Sequence, residues 1–145
     1  WRRISEENKT VMEKETEKIG LVVIDSSIFI DHLRSYTPAV EFFRNLSNSK
    51  SPVMFSALTE TELIAGKSCN ENNVRTIVLN MLNSFTKVEV DNAIALKAGD
   101  ISRIYGTDLP DSVIAATAIV NYVPLLTKNL KDFEKIKELK VRSPY

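Results

Sequence analysis

The feature that most constrains this chain is the run Leu21-Val22-Val23-Ile24-Asp25-Ser26-Ser27-Ile28-Phe29-Ile30-Asp31. Its first four residues are apolar and rich in β-branched side chains, with no polar alternation. That reads as a short strand buried on both faces, at the centre of a parallel sheet. The run halts on Asp25, passes two serines and resumes as Ile28, Phe29 and Leu33, which suits a helical turn. A carboxylate at the carboxyl end of a central strand sits where open α/β sheets bind their ligands. Asp25 or a following serine would equally serve as a plain helix cap. Chemistry at this point therefore requires that other segments bring further carboxylates to the same edge.

The remainder of the chain alternates strands with helices. Residues 1–20 read as a charged helical extension, with the capping-box pattern Thr10-Val11-Met12-Glu13 and Gly20 as its end. Thr37-Pro38 has the form of an N-cap followed by a first-turn proline, and Val40, Phe42, Phe43 and Leu46 supply one apolar helical face. After the turn cluster Ser47–Pro52, Val53-Met54-Phe55 makes a second strand and Ser56 to Gly66 a helix. Val74, Ile77, Val78, Met81, Leu82 and Phe85 form the stripe of another helix, and Val88-Glu89-Val90 a third strand. Ile94, Ala98, Ile101 and Tyr105 mark a helix closed by Gly106. Ser112 to Asn121 is an Ala-rich helix with Asp111 as its cap, and Pro124–Thr127 is a fourth strand. Leu130 to Leu139 reads as largely helical, with a fifth strand from Val141. The expected architecture is a three-layer α/β/α domain over residues 21–145 with a mainly parallel central sheet.

Composition narrows the function classes. At 145 residues the chain can bury a core without staples, and its single cysteine, Cys69, excludes an internal disulfide framework. No apolar run is long enough to span a bilayer, and the start of the sequence lacks the apolar core of a signal peptide, so a cytoplasmic protein is expected. Lys plus Arg equals Asp plus Glu at 19 each, which argues against a broad basic surface that coats nucleic acid. An acidic pocket that holds cations, rimmed by lysines, stays compatible with that balance.

The acids fall where the sheet would gather them. Glu62 lies on the helix after the second strand, Asp111 at the start of the Ala-rich helix, and Asp132 just past the fourth strand, with Thr127 and Asn129 between. Like charges brought together repel, so such a cluster usually exists to hold a divalent cation. Glu60 and Asp108 stand beside these positions and read as surface charges. His32, the one histidine, reads as a surface helix residue, and Cys69 as an unreactive thiol.

Four segments in this order resemble the PIN-domain ribonucleases, in particular the VapC-type toxins of toxin–antitoxin pairs. They are Val23 to Ile30, Ser56 to Gly66, Leu109 to Ala118, and Leu126-Thr127-Lys128-Asn129 with Asp132-Phe133. The resemblance implies an acidic quartet of Asp25, Glu62, Asp111 and Asp132, supported by the polar residues Ser26, Thr127 and Asn129. It also implies Mg2+ or Mn2+ as cofactor, hydrolysis of RNA to 5′-phosphate and 3′-hydroxyl ends, an antitoxin partner and a homodimer. Ser27 stands where asparagine is frequent in the family, which would weaken support for Asp25. Asn129 stands where some relatives carry Asp, which leaves the fourth acid to Asp132. The rival readings are a PIN-like domain that serves RNA processing or acts as a non-catalytic RNA- or protein-binding module, and phosphoryl transfer through Asp25. The latter lacks a second acid two residues on, where Ser27 stands.

Overall fold

The computed structural model describes residues 21–47 and 53–145; the extension expected over residues 1–20 and most of the Ser47–Pro52 turn lie outside them. The strands are β1 (Val22–Ile24), β2 (Val53–Ser56), β3 (Thr86–Val88), β4 (Leu125–Leu126) and β5 (Val141–Arg142). They form one parallel sheet in the order β3-β2-β1-β4-β5. The helices are α1 (Ser26–Leu33), α2 (Thr37–Ser47), α3 (Ala57–Ile64), α4 (Asn72–Asn83), α5 (Asn92–Tyr105), α6 (Leu109–Val120) and α7 (Leu130–Phe133), with a 3-10 turn at Lys67–Asn70.

The chain winds outward from β1 to β2 and β3, then returns to the other side of β1 for β4 and β5. The winding direction therefore reverses between β1 and β4. Val23 pairs with Leu125 and Ile24 with Leu126, so both strands end level. In α/β sheets the carboxyl ends of the strands at such a reversal are where ligands bind.

The two-faced burial read from the apolar run is realised residue by residue. Val22 and Ile24 join a core with Phe29, Phe43, Phe55, Leu63 and Leu82, while Val23 faces Ile94, Ile101, Ile114 and Leu125 on the other side. Phe29 is fully buried, with ring centroids 5.5 Å from Phe43, 5.9 Å from Phe55 and 5.8 Å from Phe85. On the second face Ala115, Ala116 and Ala118 are fully buried, and their small side chains let α6 lie close to the sheet.

Four boundaries differ from the sequence reading. The third strand is Thr86–Val88 rather than residues 88–90, because the β2 register pairs Met54, Phe55 and Ser56 with Thr86, Lys87 and Val88. It is an edge strand whose side chains are largely exposed, so no apolar alternation marks it. The helix α3 stops at Ile64, two residues short of the expected Gly66, and the 3-10 turn follows from Lys67. The helix expected to Leu139 ends at Phe133. Phe133, Ile136 and Leu139 stay buried at three-residue spacing through tight turns, with Ile136 N donating to Phe133 O and Leu139 N to Ile136 O. The cap of α6 is Asp108, whose carboxylate accepts the Asp111 N–H at 3.1 Å, so Asp111 lies in the first turn instead. Gly106 does close α5, at φ +70°.

His32 is not the surface residue expected. It is half-buried against Phe43, with ring centroids 4.7 Å apart, and burial lowers its pKa. Among the described residues no helix is long and apolar enough to cross a membrane.

Truncating the ring that three other phenylalanines surround should leave a cavity that so dense a cluster cannot close. Phe29→Ala is expected to lower the unfolding free energy by about 3–5 kcal/mol, as measured by urea denaturation; a loss below about 1 kcal/mol would mean the cluster is not the packed core described.

Candidate active site

Asp25 follows β1 and begins α1 with extended backbone, φ −73° and ψ 155°. Its N–H donates to Leu126 O at 2.9 Å, which ties it to β4. It occupies the N-cap position, yet its side chain makes no capping bond. The carboxylate, only 4% exposed, instead accepts Thr127 Oγ1 at 2.8 Å and Ser27 Oγ at 2.9 Å, both on Oδ2. These two hydroxyls satisfy a buried oxygen and fix the direction of the carboxylate. Capping therefore does not account for this acid.

Thr127 is fully buried and closes a small network. Besides donating to Asp25, its Oγ1 accepts the Asn129 N–H at 3.0 Å, and its own N–H donates to Arg142 O at 3.0 Å. Asn129 supports the site through its backbone and sits at the start of α7 without a side-chain cap bond. Ser27, read from sequence as a weak substitute, is instead a direct partner. It donates to Asp25 and accepts the Lys128 N–H at 3.3 Å, so one hydroxyl joins the β1 and β4 ends. A serine two residues after a strand-end Asp is the local signal that could have found it.

The other acids arrive from three helices. Glu62, exposed on α3, accepts Ser26 Oγ at 2.7 Å, and Ser26 also reaches Thr59 Oγ1 at 3.4 Å. This bond draws Glu62 to the residue beside Asp25. Asp111, in the first turn of α6, has its pKa pushed up to about 7 by partial burial and by the negative charges of Asp108, Asp25 and Asp132. The charges of Asp25 after β1 and of Asp132 on α7 thus both act on Asp111 in α6. Asp108 is more than the surface charge expected: it caps α6 and adds to the field on Asp111. Glu60 does sit apart, in a partly exposed ion pair with Lys87 at 3.3 Å. Among the described residues no three His, Cys, Asp or Glu side chains are grouped tightly enough to cage an ion.

Comparison with known proteins places this geometry in a family. Residues 22–139 match the family model described as PIN domain. The chain is 34% identical over 132 residues to ribonuclease VapC19 of Mycobacterium tuberculosis, covering 85% of this chain and 98% of that protein. It is 32% identical over 125 residues to ribonuclease VapC10 of the same organism, covering 83% and 91%. Among solved structures, a toxin–antitoxin complex from Klebsiella pneumoniae contains a chain that matches with a TM-score of 0.72 and 25% identity, over 86% of this chain and 98% of that one. The family model covers most of the chain, and the ribonuclease relatives span nearly the same length: this chain belongs to the PIN-domain family, on its VapC branch.

Proposed function

We propose that this chain is an endoribonuclease that hydrolyses RNA phosphodiester bonds with Mg2+ or Mn2+, and that it is the toxin of a VapBC-type pair. The observation that supports this reading is that Asp25, at the β1–β4 reversal, and Asp132 both contribute charge to the raised pKa of Asp111. The ribonuclease relatives supply the reaction class.

The residues present fit a hard divalent cation. All candidate donors are carboxylate oxygens, and burial with the neighbouring negative charges raises the pKa of Asp111 to about 7, a shift that a bound cation would oppose. A closed protein cage is not required, because Mg2+ commonly binds through one or two carboxylates and completes its shell with water and substrate phosphate. Asp25 and Asp111 would hold the ion. When bound, it supplies Lewis-acid polarisation of the phosphate and a more acidic water.

The chain's own residues do the rest. Thr127 and Ser27 fix the orientation of the Asp25 carboxylate through their hydrogen bonds to Oδ2. Glu62, which accepts a hydrogen bond from Ser26, would orient the attacking water and accept its proton, and Asp132 on α7 would add a further carboxylate. Water attacks phosphorus and the bond to the 3′ oxygen breaks, leaving a 5′ phosphate and a 3′ hydroxyl. A homodimer and an antitoxin partner complete the reading; the antitoxin finds support in the toxin–antitoxin complex that shares this fold. A reducing, cytoplasmic setting is consistent with the lone thiol.

Loss of a residue that only orients a metal ligand typically costs about 10–100-fold. Thr127→Val should fall in that range in RNA cleavage at saturating Mn2+, and Asp25→Asn and Asp111→Asn should fall further, with folding retained by circular dichroism. Near-wild-type rates in either Asn variant would remove that residue from the site.

The same acids should oppose folding when no cation is present. The folded pKa of Asp111 is about 7 against an ordinary 3.8, so between about pH 4 and 7 the folded chain holds a proton that the unfolded chain has released. Its contribution to stability therefore falls as pH rises through that window. In chelator, Asp111→Asn should melt above the wild type at pH 8, with the gap closing near pH 4. A variant that melts lower at pH 8 would contradict the assigned repulsion.

Binding restricted to the folded state stabilises it by about 2.7 kcal/mol at 100 times Kd. Mn2+ should accordingly raise the wild-type Tm and raise that of Asp25→Asn much less; equal shifts would place the ion elsewhere.

A further inference from the structure

Lys128 joins the acidic site to a second surface. Its N–H donates to Ser27 Oγ, which itself donates to Asp25. Its side chain runs the other way, to Asp31 Oδ2 at 2.9 Å, with the ammonium 4.8 Å from the ring centroid of Tyr36 and 5.9 Å from that of Tyr145. The two tyrosine rings meet edge to face with centroids 5.7 Å apart, and the Tyr145 hydroxyl donates to Asp31 at 2.7 Å.

The backbone is bent to put Tyr36 there. The helix α1 ends with Ser35 N donating to His32 O and Tyr36 N to Asp31 O, the paired bonds of a Schellman ending. Its left-handed position, φ 60°, is held by Ser35 rather than by glycine. The turn brings an aromatic residue back beside Asp31, yet leaves it 47% exposed, and Tyr145 is 37% exposed.

The charge of Lys128 is matched by Asp31, so the cluster has no surplus positive charge with which to seize a phosphate. It offers flat, electron-rich rings with part of their surface open to solvent, one lysine side chain away from the acids. Such platforms suit the face of an unpaired base, since stacking on an aromatic ring tolerates any base and needs no net charge.

We propose that Tyr36, held in place by the edge-to-face contact with Tyr145 and by Lys128, stacks an unpaired RNA base on its solvent-open surface next to the phosphodiester that is cleaved. This rests on reading the chain as a ribonuclease and adds a determinant of substrate binding outside the acidic residues. Lys128 positions the rings, and Asp31 holds Lys128.

The test uses the full chain, Mn2+ and a single-stranded RNA oligonucleotide that it cleaves. Tyr36→Ala should raise KM about tenfold or more while kcat stays within about twofold, and Tyr36→Phe should keep the wild-type KM. Abasic nucleotides scanned along the RNA next to the cleaved bond should include one that costs the wild type a similar factor and adds nothing in Tyr36→Ala. Unchanged KM in Tyr36→Ala with a lowered Tm would make the cluster a structural latch and overturn the proposal. Unchanged KM with loss only of inhibition by a co-expressed antitoxin would give this face to a protein partner and overturn it likewise. A wild-type chain that cleaves no RNA would overturn the ribonuclease reading along with it, whereas cleavage with these unchanged values overturns the stacking subsite alone.

Discussion

The hydrogen bond from Thr127 Oγ1 to Asp25 Oδ2, 2.8 Å long and wholly buried, joins residues 102 apart in the chain across the point where the sheet reverses its winding. It can form only if β1 and β4 lie side by side and end level, which the register of Ile24 with Leu126 ensures. It also explains how a carboxylate tolerates burial: two hydroxyls donate to it, so its buried oxygen is not left without a partner. The rest of the fold can be understood as support for that meeting. One apolar layer fixes β1 through Phe29 and its aromatic neighbours, the other through the close approach of α6.

The site that results works against its own stability. Asp25 accepts two hydrogen bonds, whereas burial and then the charges of Asp108, Asp25 and Asp132 raise the pKa of Asp111 to about 7. Asp108 contributes in two opposed ways, since its cap stabilises α6 while its charge adds to the repulsion. An apolar replacement at Asp111 would relieve that repulsion and remove the chemistry, the exchange between stability and activity expected of preorganised sites. The hydrophobic layers on both sheet faces are what allow the arrangement to persist.

Much of this was legible in the residues. The unbroken apolar run ending in Asp25 signals a central parallel strand, and the order of Glu62, Asp111, Thr127 and Asp132 along alternating elements signals a shared edge. What the sequence could not give came from interactions without periodicity. The edge strand Thr86–Val88 takes its register from β2, not from its own side chains. The buried spacing of Phe133, Ile136 and Leu139 fits a helix and tight turns equally well. Ser27 and Asp108 looked dispensable because their roles depend on atoms brought from β4 and from the first turn of α6. His32 looked exposed because its burial comes from Phe43 on the next helix. The pairing of Tyr145 with Asp31 spans 114 residues and leaves no local trace.

The central claim is that the level ends of β1 and β4 gather carboxylates to hold a divalent cation. Anomalous diffraction from crystals of the wild-type chain soaked in Mn2+ tests it most directly. The account predicts a peak at about 2.0–2.6 Å from carboxylate oxygens of both Asp25 and Asp111, lost in Asp25→Asn. Ordered carboxylates with no peak between them, in a protein that still cleaves RNA in chelator, would contradict it.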